Sequence, residues 1–155
     1  MSSYQDLKNK VVLVTGAGSG IGEAIALRFA QQGAQVAVND VDEAKAAATT
    51  EQITKLGGSA LATPGDVSNS EDVDSMFSAT EAEFGHAQIL VNNAGLVGPM
   101  LHFFEADESW WRKIIDVNLT GHFLCAHRAA RPMAQAGSGV IINMSSGGAT
   151  RAHRA

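Results

Sequence analysis

The chain has 155 residues, a net charge of −5 at neutral pH and a 45% share of hydrophobic residues. This size and composition are typical of one globular domain with a buried core, which we expect to span residues 1–155. The acidic balance argues against nucleic acid as a partner, and no apolar run approaches the roughly 20 residues of a membrane-spanning helix.

Five short apolar runs are predicted to be strands, at residues 11–14, 36–38, 59–63, 89–91 and 140–142. Their apolarity is continuous rather than alternating, as in strands that are buried on both faces of a parallel sheet. Helical patterns lie between them, giving the order βαβαβαβαβ. The sequence therefore predicts an α/β fold of the Rossmann type, a doubly wound parallel sheet with right-handed crossovers.

Two of the helices between these strands have clear apolar faces. The first has Ile21, Ile25 and Phe29 at every fourth position and reaches Gly33, which can end a helix with a positive φ. The second has a single apolar stripe, and residues 68–71 (Ser-Asn-Ser-Glu) predict a capping box at its start. The stripe consists of Val73, Met76, Phe77, Thr80 and Phe84.

A longer helix is predicted from Asp107 to about Ala130, and Pro132 is expected to end or bend it. It is apolar on two stripes, which predicts a helix that is covered on both sides. Four of its residues are interpreted as core or subunit interface, namely Trp110, Trp111, Phe123 and Cys125.

Cys125 is the only cysteine, so no internal disulfide is possible within this chain. The N-terminal residues are polar and lack the apolar stretch of a secretory signal. Both features favour a reducing compartment, and we expect a cytoplasmic protein. The five histidines show no metal-ligand spacing, so no metal is predicted.

The first strand leads directly into a glycine-rich loop at residues 15–22, Thr-Gly-Ala-Gly-Ser-Gly-Ile-Gly. Glycines let the backbone turn tightly and let a pyrophosphate approach the free amides at a helix N-terminus. A flexible loop is the alternative, but a buried strand before it and an amphipathic helix after it favour nucleotide binding. The predicted cofactor-binding residues here are Gly16, Ser19, Gly20, Ile21 and Gly22.

Asp40 ends the second strand and is predicted to select the dinucleotide. A carboxylate at this position can accept hydrogen bonds from both adenosine ribose hydroxyls and repels a 2′-phosphate, which favours NAD over NADP. The alternative is that Asp40, with Glu43, only caps the second helix. Because Asp42 could cap that helix instead, we favour the ribose role for Asp40.

Residues 15–22 match the Thr-Gly-x-x-x-Gly-Ile-Gly signature of the short-chain dehydrogenase/reductase family. The chain resembles this family in three further segments, Gly65-Asp66-Val67, Asn92-Asn93-Ala94-Gly95 and the strand that leads to Ser145-Ser146. The resemblance implies that Asp66 and Val67 contact adenine, and that Asn93, Ala94 and Gly95 line the ribose side of the cofactor. Ordinary turns would explain the first two segments on local grounds.

The resemblance also implies two catalytic positions, Ser146 and Asn118. Ser146 aligns with the family serine that hydrogen-bonds the reacting oxygen, and the backbone of Asn118 would hold a water of a proton relay. From periodicity alone, Asn118 is better explained as a hydrogen-bonded core asparagine.

The resemblance also bears on the choice between NAD and NADP. Relatives that prefer NADP carry a basic residue at the positions of Ser19 and Val41, and neither is basic here.

The family's tyrosine lies about a dozen residues after the serine, and a lysine lies one helical turn beyond it. Here nine residues follow Ser146, and the only tyrosine is Tyr4, before the first strand. We therefore expect the chain to be an N-terminal part of a longer enzyme, so that the last strands and helices of the family fold are missing.

For the complete protein, the resemblance implies an NAD-dependent oxidoreductase that interconverts a secondary alcohol and a ketone, as a homo-oligomer (a tetramer or dimer). The first alternative is a non-catalytic NAD-binding module or regulator. A nucleotide-binding methyltransferase is a weaker alternative, because it does not explain the Asn-Asn-Ala-Gly and Ser-Ser segments.

Overall fold

A computed structural model describes residues 4–98, 102 and 104–146. This part contains one five-stranded parallel sheet with the order β3-β2-β1-β4-β5. All five predicted strands are confirmed, and each bound lies within one residue of the prediction. The strands are β1 (Val11–Val14), β2 (Gln35–Val38), β3 (Ser59–Ala62), β4 (Ile89–Asn92) and β5 (Val140–Asn143).

Helices cover both faces of the sheet. They are α1 (Gly20–Gln31), α2 (Glu43–Lys55), α3 (Ser70–Phe84), α4 (Glu108–Ile115) and α5 (Gly121–Ala136), with a π-helical turn at Asp116–Thr120 and a 3-10 turn at Gln5–Leu7. One core lies between the sheet and α1 and α2, and the other lies between the sheet and α3 and α5. None of the helices in the described ranges has both the length and the apolarity that crossing a membrane requires.

The central strand β1 is buried on both faces, which explains its continuous apolarity. Val12 and Val14 contribute to the core beside α1 and α2, and Leu13 contributes to the core beside α3 and α5. Alternate side chains of a strand point to opposite faces, so each of these cores requires an apolar residue. The edge strand β5 differs, because Val140 and Ile142 are 51% and 39% exposed.

The predicted capping box of α3 is wrong by one residue. Asn69, not Ser68, is the N-cap, and its side-chain oxygen accepts hydrogen bonds from the amides of Glu71 and Asp72. Asparagine is as good an N-cap as serine, so adjacent candidates in a polar run cannot be separated by residue type alone. The apolar face of α3 is confirmed for Val73, Met76, Phe77 and Thr80, which are buried.

The predicted long helix is also corrected. It does not end at Pro132, because α5 continues to Ala136 and ends at Gly137, which has a left-handed φ of 66°. Only one of its stripes is covered, through Cys125, Ala129 and Met133. The other remains exposed at Trp111, Leu119 and Phe123. Pro132 removes one backbone hydrogen bond, but Met133, the residue after it, is buried in the core beside α3 and α5.

Substituting Leu13 by alanine should lower the free energy of unfolding by about 3–5 kcal/mol, because the side chain is fully buried and leaves a cavity. The same change at Leu56, which is 67% exposed, should cost less than about 1 kcal/mol. Urea denaturation of both variants measures the difference. Equal losses would show that Leu13 is not a core residue.

Cys125 should resist alkylation, because burial raises the pKa of its thiol to about 12. At pH 8 only about one thiol in ten thousand would then be the reactive thiolate. Peptide mapping after iodoacetamide treatment should find Cys125 unmodified in the native protein and modified in urea. Rapid labelling of the native protein would contradict its position in the core.

Candidate cofactor site

The predicted site residues follow the carboxyl ends of adjacent strands. The glycine loop follows β1, Asp40 follows β2 and Asn93 follows β4. In an open parallel sheet, ligands bind where successive connections leave in opposite directions, and here that point lies between β1 and β4. The fold therefore brings these segments together at the expected place.

The first turn of α1 offers backbone amides for an anion. Its first helical hydrogen bond runs from the amide of Glu23 to the carbonyl of Ser19, so the amides of Gly20, Ile21 and Gly22 have no partner within the helix. Ser19 is the N-cap residue, but its side chain does not cap. Free amides and the helix dipole together favour a negatively charged group at this position.

Gly16 and Gly20 serve different purposes in this loop. Gly20 has a φ of +59°, and a Cβ at this position would meet nothing within 4 Å, so it borders open space. At Gly16, a Cβ would lie 2.8 Å from the Cα of Ala94. The first glycine allows the loop to approach the segment after β4, and the second leaves room at the helix N-terminus. A pyrophosphate fits these features.

Asp40 fastens the glycine loop to the end of β2. Its Oδ2 accepts a hydrogen bond from the amide of Gly18, and its Oδ1 accepts one from the amide of Asp42, both at 3.0 Å. Asp42 caps α2, because its side chain accepts a hydrogen bond from the amide of Lys45. The capping alternative for Asp40 is therefore wrong. A carboxylate has about four acceptor positions, so Asp40 retains capacity for a ligand.

Asn93 and Thr15 fasten the other side of the loop to the end of β4. The hydroxyl oxygen of Thr15 accepts hydrogen bonds from the amides of Asn93 and Ala94, both at 3.0 Å. The Asn93 side-chain amide donates to the carbonyls of Thr15 and Gly16, at 2.9 and 3.1 Å. Asn93 therefore supports the loop with its side chain. Sequence reasoning missed Thr15, although its place at the start of the glycine signature was a usable signal.

Asp66 and Val67 use their side chains within the protein. Asp66 accepts hydrogen bonds from the amide and hydroxyl of Ser68, at 2.8 and 2.7 Å, which is the local turn considered as the alternative. Val67 is buried and packs against Gly121, where a Cβ would lie 2.8 Å from its Cγ2. Both bonds from Ser68 reach Asp66 Oδ1, so the carboxylate retains acceptor positions for a ligand, whereas the Asp66 amide already donates to Asp72 Oδ2 at 2.9 Å.

Asn39 is a second residue that sequence reasoning missed. It is buried, and its amide nitrogen donates to the carbonyls of Thr63 and Gly65, at 2.9 and 3.0 Å. These bonds join the end of β2 to the end of β3. Asn39 thus fixes the segment before Asp66 relative to Asp40.

Asn118 lies in the π-helical turn, where the sequence predicts an ordinary helix. In this turn the amide of Gly121 donates to the carbonyl of Asp116, five residues back. The Asn118 side chain accepts from the amide of Leu96 at 2.7 Å and donates to its carbonyl at 2.9 Å. Both the oxygen and the nitrogen of this half-buried side-chain amide therefore have a partner, and Asn118 holds the chain just after Gly95.

Ser146 is exposed beyond the end of β5. The strand that carries it is fastened to β4, because the Asn92 side-chain amide donates to Asn143 Oδ1 at 2.9 Å and the amide of Met144 donates to the carbonyl of Asn92 at 2.9 Å. This places Ser146 on the same edge of the sheet as the glycine loop. Gly147 lies outside the described residues.

Comparison with known proteins identifies the family. Residues 10–154 match the family described as short chain dehydrogenase. The chain belongs to this family. It is 44% identical over 141 residues to an uncharacterized oxidoreductase of Thermotoga maritima, a match that covers 91% of this chain and 55% of that protein. It is 38% identical over 138 residues to a cyclohexanol dehydrogenase of an Acinetobacter species, covering 89% of this chain and 55% of that protein.

A solved short chain dehydrogenase from Mycobacterium avium has a similar structure. It matches with a TM-score of 0.82 and 36% sequence identity, over 92% of this chain and 56% of that one. The chain thus spans about half the length of the relatives that it matches.

In the described ranges, no group of three or more histidine, cysteine, aspartate or glutamate residues could hold a metal ion.

Substituting Thr15 by valine should lower the free energy of unfolding by about 1–3 kcal/mol, because the amides of Asn93 and Ala94 lose their acceptor. Thr15→Ser keeps the hydroxyl and should retain most of that stability. Chemical denaturation compares the two variants. Equal stability of the valine and serine variants would contradict the bridging role of Thr15.

Proposed function

We propose that the full-length protein is an NAD-dependent oxidoreductase that interconverts a secondary alcohol and a ketone. One observation supports it most strongly. The carboxylate of Asp40 is hydrogen-bonded to Gly18 in the loop that leads to the unpaired amides of α1. An anion site beside a carboxylate is the combination that a pyrophosphate and an unphosphorylated ribose require.

The charges around Asp40 favour NAD over NADP. A 2′-phosphate would be placed against the Asp40 carboxylate, and Val41, which is 72% exposed, offers it no cation. Lys45 is the nearby cation to consider, since a Cβ added at Gly18 would lie 2.6 Å from the Cβ of Lys45. Its ammonium group is paired with Asp42 at 3.6 Å. We therefore assign NAD as the cofactor.

The two ends of the site would have separate tasks. The amides of Gly20, Ile21 and Gly22 would bind the pyrophosphate, Asp40 would bind the adenosine ribose, and the Asp66 carboxylate and the Val67 amide would contact the adenine. Ala94 and Gly95 would border the other ribose. When bound, the nicotinamide supplies the hydride acceptor or donor. Ser146 hydrogen-bonds the reacting oxygen of the substrate, and the backbone of Asn118 holds a water for proton transfer.

The name of one relative supports the substrate class. Cyclohexanol, in the name of the Acinetobacter relative, is a secondary alcohol.

The exposed stripe formed by Trp111, Leu119 and Phe123 supports a homo-oligomer, because monomeric proteins rarely expose several large apolar side chains on one helical face. The buried, unpaired Cys125 supports the reducing cytoplasm as the compartment.

Substituting Asp40 by alanine in the full-length protein should raise the Kd for NAD by roughly 10- to 100-fold, because hydrogen bonds to a charged group are lost. The same change should raise affinity for NADP, since the repelling carboxylate is removed. Asp42→Ala is the matched control: it removes the α2 cap and should lower stability but leave the Kd for NAD within about twofold. Isothermal titration measures each Kd, and an unchanged Kd in Asp40→Ala would reject this site.

Substituting Ser146 by alanine should lower kcat by about 100-fold or more with NAD and cyclohexanol or other cyclic secondary alcohols. Ser145→Ala, one residue earlier, should retain activity. Absorbance of NADH at steady state measures turnover. A full-length wild-type protein that binds NAD but oxidises no alcohol and reduces no ketone would instead be a non-catalytic NAD-binding regulator.

A further inference from the structure

His122, in the first turn of α5, contacts the segment that follows β4. Its Nε2 lies 3.1 Å from the carbonyl oxygen of Ala94. A carbonyl oxygen can only accept a hydrogen bond, so Nε2 carries the proton and donates it. The spacing of the histidines in the sequence gives no indication of this contact.

The backbone of His122 is also attached to β4. Its carbonyl accepts a hydrogen bond from the side-chain amide of Asn92 at 3.2 Å. One turn earlier, Asn118 pairs with both backbone groups of Leu96. The attachments thus fall on every second residue of the extended segment, at Asn92, Ala94 and Leu96. The π-helical turn lies at the start of this contact and presents Asn118 and His122 to the same segment.

Ala94 is held from two opposite directions. Its amide donates to the hydroxyl oxygen of Thr15 at 3.0 Å, and its carbonyl accepts from His122. Its Cα borders Gly16, where a Cβ would lie only 2.8 Å away. The peptide groups around Ala94 therefore take their position from the glycine loop on one side and from the His122 ring on the other.

This contact lies on the β4 side of the glycine loop, whereas Asp40 fastens the loop on the β2 side. A dinucleotide whose pyrophosphate binds at the N-terminus of α1 extends in both directions from that point. With Asp40 at the adenosine ribose, as proposed above, the adenosine half would lie toward Asp40 and the nicotinamide half toward Ala94 and Gly95.

We propose that His122 is a positioning residue for the nicotinamide half of NAD. It fixes the Ala94 carbonyl, and with it the backbone of Ala94 and Gly95 that borders the second ribose. The inference rests on the proposed NAD-dependent function. Fixing this backbone before the cofactor binds lowers the ordering cost of binding, and the gain applies only to ligands that reach past the pyrophosphate.

The test uses the full-length protein and two probes, NAD and 5′-AMP, which represents the adenosine half alone. His122→Leu should raise the Kd for NAD by about five- to tenfold, the effect of one lost hydrogen bond, and should change the Kd for AMP less than twofold. His122→Gln should restore NAD binding to within about twofold, because its amide nitrogen can occupy the position of Nε2. His86→Leu, at an exposed histidine before β4, should change neither Kd.

A second comparison avoids dependence on the leucine variant, which loses a polar group at a half-buried position. His122→Asn and His122→Gln carry the same amide, but only the longer side chain reaches the Ala94 carbonyl. The asparagine variant should therefore bind NAD about five- to tenfold more weakly than the glutamine variant.

The outcomes separate this inference from the proposed function. A wild-type protein with no affinity for NAD would reject both. Wild-type affinity for NAD in the leucine and asparagine variants would reject the role of His122 alone. Parallel weakening of NAD and AMP in those variants would also reject it, because that result indicates only a general loss of structure.

Discussion

The candidate site depends on how a loop with four glycines among residues 15–22 is held in one conformation. Glycine gives up more conformational freedom on folding than any other residue, so the loop must be fixed by its neighbours. Asp40 does so from the β2 side through the amide of Gly18, and Thr15 and Asn93 do so from the β4 side. These contacts hold the loop and leave the amides of the first turn of α1 without partners in the helix.

The side chains that fasten the loop take their positions from the core of the sheet. Each fastening side chain follows a strand that is buried between two helical layers, so its position is set by core packing. Asn39 and Asn92 extend this arrangement to β3 and β5, because each side-chain amide joins the end of its own strand to the next one. The carboxyl edge of the sheet is therefore connected by side-chain amides as well as by the sheet hydrogen bonds.

The sequence was sufficient to predict the strands, the sheet type and Asp42 rather than Asp40 as a cap of α2, because each depends on local pattern or on position along a strand. It was not sufficient for the N-cap at Asn69, since several adjacent residues are good caps. The π-helical turn was missed because it differs from an α-helix only in its backbone hydrogen bonds, which join residues five apart instead of four. No side-chain type marks this difference in the sequence. Thr15, Asn39 and His122 were missed as contacts because their partners are distant in sequence.

Most of the polar side chains in the site bind the protein itself. Asp66 closes a turn, Asn93 holds loop carbonyls and Asn118 pairs with Leu96. A dinucleotide would therefore meet mainly backbone groups, whose directions these side chains determine. Asp40 is an exception, because its carboxylate would both hold the loop and bind the ligand. Backbone groups cannot be exchanged by substitution, so, apart from Asp40, the residues that orient the backbone would determine cofactor affinity in such a site. This places the determinants of binding partly outside the surface that the ligand touches, on elements such as the first turn of α5.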